Sequence, residues 1–160
     1  MSEIKKGFEP FIGNNPEILI LGSFPSVKSR KIEFYYGNPQ NRFWKVLAEF
    51  FGQPLPQSVE EKKEFLYLNK IALWDVVTEC EIVGSSDSAI KNFKVADIQK
   101  LLQKIDVKLI ILNGGKAYEI FTRHCRVGVP YIQLPSTSPA NTHFAKEKWF
   151  DALSTVFGRN

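Results

Sequence analysis

The chain has no long hydrophobic run. No apolar stretch in its 160 residues approaches the roughly 20 residues that a membrane span requires. Residues 1–6 also lack the apolar core of a secretory signal. The sequence therefore predicts no membrane partner and a cytoplasmic location.

Residues that bind metals are scarce. The chain contains two cysteines, Cys80 and Cys125, and two histidines, His124 and His143. The cysteines do not form a C-x-x-C pair and the histidines are far apart in sequence, which argues against a zinc or iron–sulfur site. We expect both thiols to pack as small hydrophobic groups. No metal is expected.

Two nucleotide-binding motifs are also missing. The chain has no G-x-x-x-x-G-K-[ST] loop, and no G-x-G-x-x-G follows a predicted strand. Nucleoside triphosphate and dinucleotide sites therefore lack support. We expect the protein to work without an organic cofactor.

The composition is that of an ordinary globular protein, with 44% hydrophobic and 24% charged residues. A length of 160 residues fits one domain with a sizeable core, so residues 1–160 are predicted to form a single domain, which we expect to be monomeric. The net charge of +4 and the pI near 9 favour a polyanionic partner such as DNA or RNA.

Short apolar runs alternate with amphipathic stretches along the chain. The runs predict buried strands, and the stretches, with apolar residues at helical spacing, predict helices. The predicted strands are 17–21, 71–77, 107–112 and 129–134, and the predicted helices are 41–51, 59–68, 98–105, 117–124 and 145–157. This alternation predicts a three-layer α/β/α sandwich around a mostly parallel, four-stranded sheet. The glycine- and serine-rich stretch 83–88 is expected to be a surface loop.

Two polar loops follow the apolar runs near either end of the chain. The first spans Gly22 to Ser26, and the second spans Pro135 to Asn141. Asp75 lies near the end of the predicted strand 71–77, and Asn113 directly follows the predicted strand 107–112. In an open parallel sheet, ligands bind beyond the carboxyl ends of the strands. We therefore expect these polar groups to converge on one site.

Three segments of the sequence resemble motifs of a known family. They are Gly22-Ser23-Phe24-Pro25-Ser26, Asn38-Pro39-Gln40-Asn41-Arg42-Phe43-Trp44 and Leu134 to Asn141, and Asp75 and residues 84–90 fit the same pattern. The chain resembles the uracil-DNA glycosylase superfamily, and within it the branch that excises hypoxanthine from deoxyinosine. The resemblance implies the same fold and a DNA repair enzyme that hydrolyses the N-glycosidic bond of a deaminated base, with xanthine as a second candidate base.

The first motif departs from much of the superfamily. Phe24 stands where many members carry a catalytic Asn or Asp, and Ser26 replaces the closing glycine. The histidine often found in the second motif is absent. The resemblance implies that the hypoxanthine branch uses an amide from the later segment, which here is Asn41. An asparagine that opens a helical pattern is also a preferred helix cap, so a capping role for Asn41 stays open.

The resemblance and the residue types together indicate a base pocket. Tyr36 is the candidate stacking platform, with Tyr35 as its competitor. The backbone amides of Ser23 and Phe24 are candidates for reading an oxygen of the base. Asn113 either reads a base edge or forms a turn with the glycines that follow it. Asp75 either orients water or holds a loop, and Ser136 completes the predicted pocket.

The predicted DNA contacts lie mainly in the second loop, whose small hydroxyl residues can approach phosphates closely. The candidates are Ser26, Arg42, Ser136, Thr137, Ser138, Pro139, Ala140 and Asn141. A tight surface turn is the alternative for this loop. Superfamily members insert an apolar tip of this loop into the gap left by the flipped base, and the resemblance implies that Pro139 and Ala140 would form only a small wedge there. No lysine is marked for Schiff-base chemistry, so a monofunctional glycosylase that leaves an abasic site is favoured.

Three other functions stay open at the level of the sequence. A uracil-specific or G:U/T mismatch-specific DNA glycosylase would share the fold, and Phe24 argues against strong uracil activity. A catalytically silent protein that binds damaged or single-stranded DNA would show salt-dependent affinity without an abasic product. An α/β enzyme for a small nucleoside would cleave free deoxyinosine.

Overall fold

Seven strands and six helices make up the described part of the chain. The computed structural model describes residues 3–82 and 90–158. The strands are β1 (Glu3–Lys6), β2 (Ile18–Gly22), β3 (Ile71–Asp75), β4 (Val77–Ile82), β5 (Ile90–Val95), β6 (Leu109–Asn113) and β7 (Tyr131–Leu134). The helices are α1 (Val27–Ile32), α2 (Phe43–Phe51), α3 (Val59–Asn69), α4 (Ile98–Leu102), α5 (Gly115–His124) and α6 (Lys146–Phe157).

A parallel sheet of four strands lies at the centre, in the order β3-β2-β6-β7. Every neighbouring pair in it is parallel. This confirms the predicted four-stranded parallel sheet and the α/β fold class. All the carboxyl ends therefore meet at one edge, where Gly22 pairs with Asp75 and Asn113 pairs with Leu134.

Alternate residues of the central strand β2 point to opposite sides of the sheet. Ile18 and Ile20 belong to a core with residues of α2, α3 and α6. Leu19 and Leu21 belong to a second core with residues of α4, α5 and β4. All four side chains are fully buried, which explains the unbroken apolar run in the sequence.

The two edge strands of this sheet differ from the sequence prediction. In β7, Tyr131 and Ile132 are 44% and 39% exposed, so the prediction that this strand is buried on both faces is wrong. The predicted strand 71–77 is also wrong in its extent, because β3 ends at Asp75 and β4 begins at Val77. The outer edge of β3 is covered by Phe11, which exchanges two backbone hydrogen bonds with Leu73 at 2.9 Å.

A second sheet, absent from the sequence prediction, is antiparallel and runs in the order β1-β4-β5. Val77, Cys80 and Val95 of this sheet pack into the core beside α4 and α5. The predicted surface loop 83–88 lies outside the described residues.

Helix α1 was not predicted from the sequence pattern. It has only six residues, of which Ser29 is the buried one. Ser26 caps it, since its hydroxyl accepts a hydrogen bond from the Ser29 N–H at 3.1 Å. No helix in the described part of the chain is both long and apolar enough to cross a membrane.

Candidate active site

A cavity of about 160 Å³ opens at the carboxyl edge of the parallel sheet. It lies between the first loop, 22–26, and the second loop, 135–141. Its lining is Gly22, Ser23, Phe24, Pro25, Ser26, Ser29, Tyr35, Tyr36, Asn38, Asn41, Asp75, Asn113, Ser136, Thr137, Ser138 and Pro139. The structure thus brings together all the residues predicted for catalysis and for the base pocket.

The floor of the cavity depends on a glycine. A Cβ atom built on Gly22 would lie 2.6 Å from Asp75 Oδ1 and 3.2 Å from the Tyr36 hydroxyl oxygen. The first distance is far inside van der Waals contact. Only a residue without a side chain allows both the Asp75 carboxylate and the Tyr36 hydroxyl to lie this close to the end of β2. Because Asp75 pairs with Gly22 in the sheet, this juxtaposition is set by the strand register.

Tyr36 is held rigidly beside the cavity. Its backbone has a φ of +52°, in the left-handed region that side chains rarely adopt. Its ring stacks on Phe43, with ring centroids 3.9 Å apart and planes inclined by 15°. The Trp44 indole N–H donates to the Tyr36 carbonyl oxygen at 3.1 Å. The first residues of α2 thereby fix both the ring and the backbone of Tyr36.

The Tyr36 hydroxyl is buried on the cavity floor. Among the described residues it makes no well-formed hydrogen bond. Burial raises the pKa of Tyr36 well above its ordinary value, and the negative charge of Asp75 raises it further, while the neighbouring Asn113 amide acts in the opposite direction. The hydroxyl therefore stays protonated at neutral pH.

Tyr35, the competing aromatic, belongs to the protein core. It is 3% exposed, and its ring packs edge-on against Phe8 and Phe34 at centroid distances of 5.1 and 5.6 Å. Its hydroxyl donates to the Glu9 carbonyl oxygen at 2.8 Å. Burial and the charge of Asp75 raise its pKa. Tyr35 borders the cavity, but its ring and hydroxyl are both engaged elsewhere.

Asn41 lies one residue before the N-cap of α2, which is Arg42. Its Oδ1 accepts a hydrogen bond from the Phe43 N–H, at the start of α2, at 2.9 Å. This bond fixes which end of the amide is oxygen and which is nitrogen. The described residues provide no hydrogen-bond acceptor for the Asn41 Nδ2 group. Asn41 thus satisfies the first backbone N–H of α2 and still presents a donor at the cavity.

Asn113 is fastened to the second loop by both ends of its amide. Asn113 Oδ1 accepts from the Thr137 N–H at 3.0 Å, and its Nδ2 donates to the Thr137 hydroxyl at 3.0 Å. Thr137 is 1% exposed. These two bonds join the end of β6 to the second loop. They also fix the orientation of the Asn113 side chain, which a turn alone would not require.

The rest of the second loop is also held by internal hydrogen bonds. The Ser136 hydroxyl accepts from the Ser138 N–H at 3.1 Å, and the Asn141 side-chain amide donates to the Ser136 carbonyl at 2.9 Å. The Trp149 indole N–H of α6 donates to the Pro135 carbonyl at 2.9 Å. These bonds fit the prediction of a tight turn, and the DNA contacts predicted for this loop stay a prediction.

Three predicted DNA-contact residues do not line the cavity. Arg42 joins the two sides of the site, since its N–H donates to the Thr137 carbonyl at 3.0 Å and its Nη1 to the Ser138 carbonyl at 3.1 Å. Asn141 ties the loop together, and Ala140 is exposed at its tip.

Two cavity residues were missed by the sequence reasoning. The Ser29 hydroxyl accepts from the Gly37 N–H at 2.8 Å and from the Ser26 hydroxyl at 3.1 Å, which anchors the segment that carries Tyr36. Asn38 Oδ1 accepts from the Gln40 N–H at 2.9 Å and shapes the turn before Asn41. The only signal for Ser29 in the sequence was its position three residues after a serine able to cap a helix.

Comparisons with known proteins find similar sequences over most of the chain. Residues 10–155 match the family model described as the uracil DNA glycosylase superfamily. A hypoxanthine DNA glycosylase from Methanosarcina acetivorans is 40% identical over 147 residues, covering 91% of this chain and 93% of the relative. A hypoxanthine DNA glycosylase from Methanosarcina barkeri is 36% identical over 155 residues, covering 93% and 98%.

A solved structure is similar over nearly the whole chain. It is a solution NMR structure from Methanosarcina acetivorans, described provisionally as a uracil DNA glycosylase. The TM-score is 0.83 at 36% sequence identity, and the match covers 97% of this chain and 99% of the other.

Proposed function

The chain belongs to the uracil DNA glycosylase superfamily and is a DNA glycosylase, and we propose that its substrate base is hypoxanthine in deoxyinosine. The observation that carries this proposal is the similarity over more than nine-tenths of the chain to two proteins named hypoxanthine DNA glycosylase. The cavity adds support, because it gathers Asn41, Tyr36 and both polar loops around one space.

The size of the cavity suits one planar base. An engineered cavity of roughly 150 Å³ in another protein binds benzene, and this one measures about 160 Å³ and is open on one side. A base inside a duplex is out of reach of such a cavity, so the nucleotide must be flipped out at a cost of a few kcal/mol. Stacking on an aromatic ring offsets about 1–3 kcal/mol of that cost.

Tyr36 supplies the stacking surface in this proposal. Phe43 supports its ring from one side at 3.9 Å, which leaves the other side for the base. The hydrogen bond from Trp44 to the Tyr36 carbonyl restrains the platform further. A platform that is rigid before the base arrives loses little conformational entropy on binding. The backbone amides of Ser23 and Phe24, at the end of β2, are the proposed donors to an oxygen of the base.

The reaction is hydrolysis of the N-glycosidic bond. The bond between the sugar C1′ and the base nitrogen breaks, its electron pair leaves with the base, and a water oxygen bonds to C1′. The water releases a proton, and the departing base takes one up. We assign Asn41 to the positioning of this water, since its Oδ1 has a second lone pair and its Nδ2 group is a fixed donor.

Asp75 is the one carboxylate among the described residues that line the cavity. It is 5% exposed and sits at the end of β3, beside Gly22. A buried negative charge stabilises the positive charge that develops on the sugar as the base departs. We propose that Asp75 stabilises this charge and also orients the attacking water.

Uracil is the second candidate substrate, because the similar solved structure is described provisionally as a uracil DNA glycosylase. Xanthine is a further candidate, since it is also a deaminated purine.

We expect the protein to act as a monomeric, single-domain enzyme in the cytoplasm, and these expectations stay predictions.

A panel of substrates tests the proposal. Matched duplexes that each carry one deoxyinosine, deoxyuridine, deoxyxanthosine or G:T mismatch are incubated with the protein, and alkali then converts abasic sites into strand breaks. We expect the fastest single-turnover excision at deoxyinosine. Faster excision at deoxyuridine would replace hypoxanthine with uracil, and DNA binding without any abasic product would overturn the proposal.

A further inference from the structure

Arg30 is held above the first loop by two contacts. Its guanidinium carbon lies 5.6 Å from the centroid of the Phe24 ring, and its Nε donates to the Ser26 carbonyl at 3.4 Å. Phe24 and Ser26 both line the cavity. Arg30 is half-buried in this position, so a cationic group is fixed at the border of the first loop.

Arg42 is held in the same way on the second loop. Its guanidinium carbon lies 5.1 Å from the centroid of the Phe144 ring, and its Nη1 donates to the Ser138 carbonyl at 3.1 Å. Ser138 also lines the cavity. Each of the two cavity loops is therefore contacted by one half-buried arginine, which is held by an aromatic ring and a carbonyl of that loop.

Both guanidinium groups keep donors for a ligand. An arginine has five N–H donors, of which each of these spends one on a carbonyl. Neither forms a salt bridge within the described residues, and the acidic side chain of Glu49 is paired with Lys146 at 2.9 Å. A planar fork of donors matches the oxygens of a phosphate, and fixing it beforehand lowers the entropy lost on binding.

Two neighbouring lysines lack such contacts. Lys28 and Lys31 share α1 with Arg30, but both are exposed and make no side-chain hydrogen bond or ring contact in the described structure. Arg126 resembles the two arginines, since its Nη1 donates to the carbonyls of Thr122 and Cys125. It follows the end of α5, whose first residue is at the cavity edge of the sheet, so it lies on the far side of the protein.

We propose that Arg30 and Arg42 form a two-sided phosphate clamp, in which each arginine binds a different one of the two phosphates that flank the flipped nucleotide. The clamp rests on the proposed function in that the cavity receives a nucleotide from DNA. It assigns to Arg30 a DNA contact and to Arg42 a specific phosphate, and it does not depend on which base is excised.

Neutralising one phosphate at a time tests the clamp. The probe is a duplex with a tetrahydrofuran abasic analogue, which has no base to cleave, and a methylphosphonate replaces the phosphate on its 5′ side, its 3′ side, or three nucleotides away. Binding is measured by fluorescence anisotropy for the wild type and for Arg30→Ala, Arg42→Ala, Lys31→Ala and Arg126→Ala. Thermal unfolding of each variant checks the fold, and Arg30→Lys and Arg42→Lys keep the charge without the planar fork.

The clamp predicts a specific pattern of losses. Each flanking methylphosphonate weakens wild-type binding by about ten-fold or more. The affinity of one arginine variant no longer falls with the 5′ replacement, and that of the other no longer falls with the 3′ replacement. In Lys31→Ala and Arg126→Ala, both replacements still weaken binding as they do in the wild type. Each arginine variant also lowers the slope of log affinity against log salt by about 0.9, the value for one phosphate contact.

Two results would overturn the clamp. One is an equal loss on all probes in both arginine variants, and the other is coupling of both arginines to the same phosphate. Excision of deoxyinosine by the wild type is measured in parallel. If each arginine variant is insensitive to a different flanking replacement but deoxyinosine is not cleaved, the clamp is supported and the proposed substrate is wrong. If deoxyinosine is cleaved but that pattern of losses is absent, the proposed substrate is supported and the clamp is wrong.

Discussion

Asn113 and Thr137 are joined by two hydrogen bonds of 3.0 Å, one to the backbone and one to the side chain of Thr137. They are 24 residues apart in sequence, at the end of β6 and in the second loop. Because Thr137 is almost fully buried, its N–H depends on Asn113 for a hydrogen-bond acceptor. The position of the second loop over the cavity therefore depends on this pair.

Replacing Asn113 tests that dependence. Asn113→Ala leaves the buried Thr137 N–H without its acceptor, and we expect a loss of about 1–3 kcal/mol in the free energy of unfolding. Excision should fall as well, since the second loop loses its anchor. Thr137→Val, which keeps the backbone bond, should cost less in both measurements. Equal effects of the two variants in urea unfolding and in single-turnover excision would contradict this account.

Asn41 combines a structural and a proposed chemical role, and two substitutions separate them. Asn41→Ala should lower single-turnover excision by about 10²–10³-fold, the usual effect of losing one well-placed donor, and should destabilise the protein by about 1 kcal/mol through the lost hydrogen bond to the Phe43 N–H. A serine hydroxyl can still accept a hydrogen bond from the Phe43 N–H, so Asn41→Ser should recover stability without recovering excision. Recovery of excision in Asn41→Ser would show that Asn41 acts only through the helix.

Gly22 is expected to tolerate no side chain. In Gly22→Ala the new Cβ would lie 2.6 Å from Asp75 Oδ1, so the cavity floor must distort, at a cost of about 1–3 kcal/mol. Gly128→Ala is the matched control, because a Cβ there meets nothing within 4 Å. Thermal unfolding and excision should both be impaired in the first variant and unchanged in the second.

The buried tyrosines predict a loss of stability at alkaline pH. Burial and Asp75 raise the pKa of Tyr35 and Tyr36 above the ordinary value of 10, so only the unfolded chain releases these protons near pH 10. Their contribution to stability is complete below about pH 10 and decreases above it by up to about 1.4 kcal/mol per pH unit for each tyrosine. Urea unfolding across this range should show a shallower decrease in Tyr36→Phe than in the wild type. An unchanged slope would contradict the raised pKa of Tyr36.

The central sheet could be predicted because its strands are buried on both faces. Such strands read as unbroken apolar runs, and β2 and β6 were found within one or two residues of their predicted bounds. The antiparallel sheet gave no such run. Its strand β1 has four residues, three of them charged. Strand β4 begins at Val77, two residues after the last residue of β3, so the predicted strand 71–77 included only the first residue of β4.

The site could be predicted where chemistry coincides with strand ends. Asp75 and Asn113 close parallel strands, so the fold brings them to one edge. The partner of Asn113 could not be predicted, because a hydrogen bond across 24 residues has no local signal. The contact of Arg30 with the Phe24 ring could not be predicted either. It depends on α1, whose six residues are too few to show an amphipathic pattern.

The most direct test of the account is the identity of the products. The protein is incubated with a duplex that carries one deoxyinosine, and mass spectrometry follows both the released base and the treated strand before any alkali is added. The account predicts free hypoxanthine and an unbroken strand with one abasic site. Hypoxanthine that stays in the DNA, or a strand already broken at the site, would contradict it.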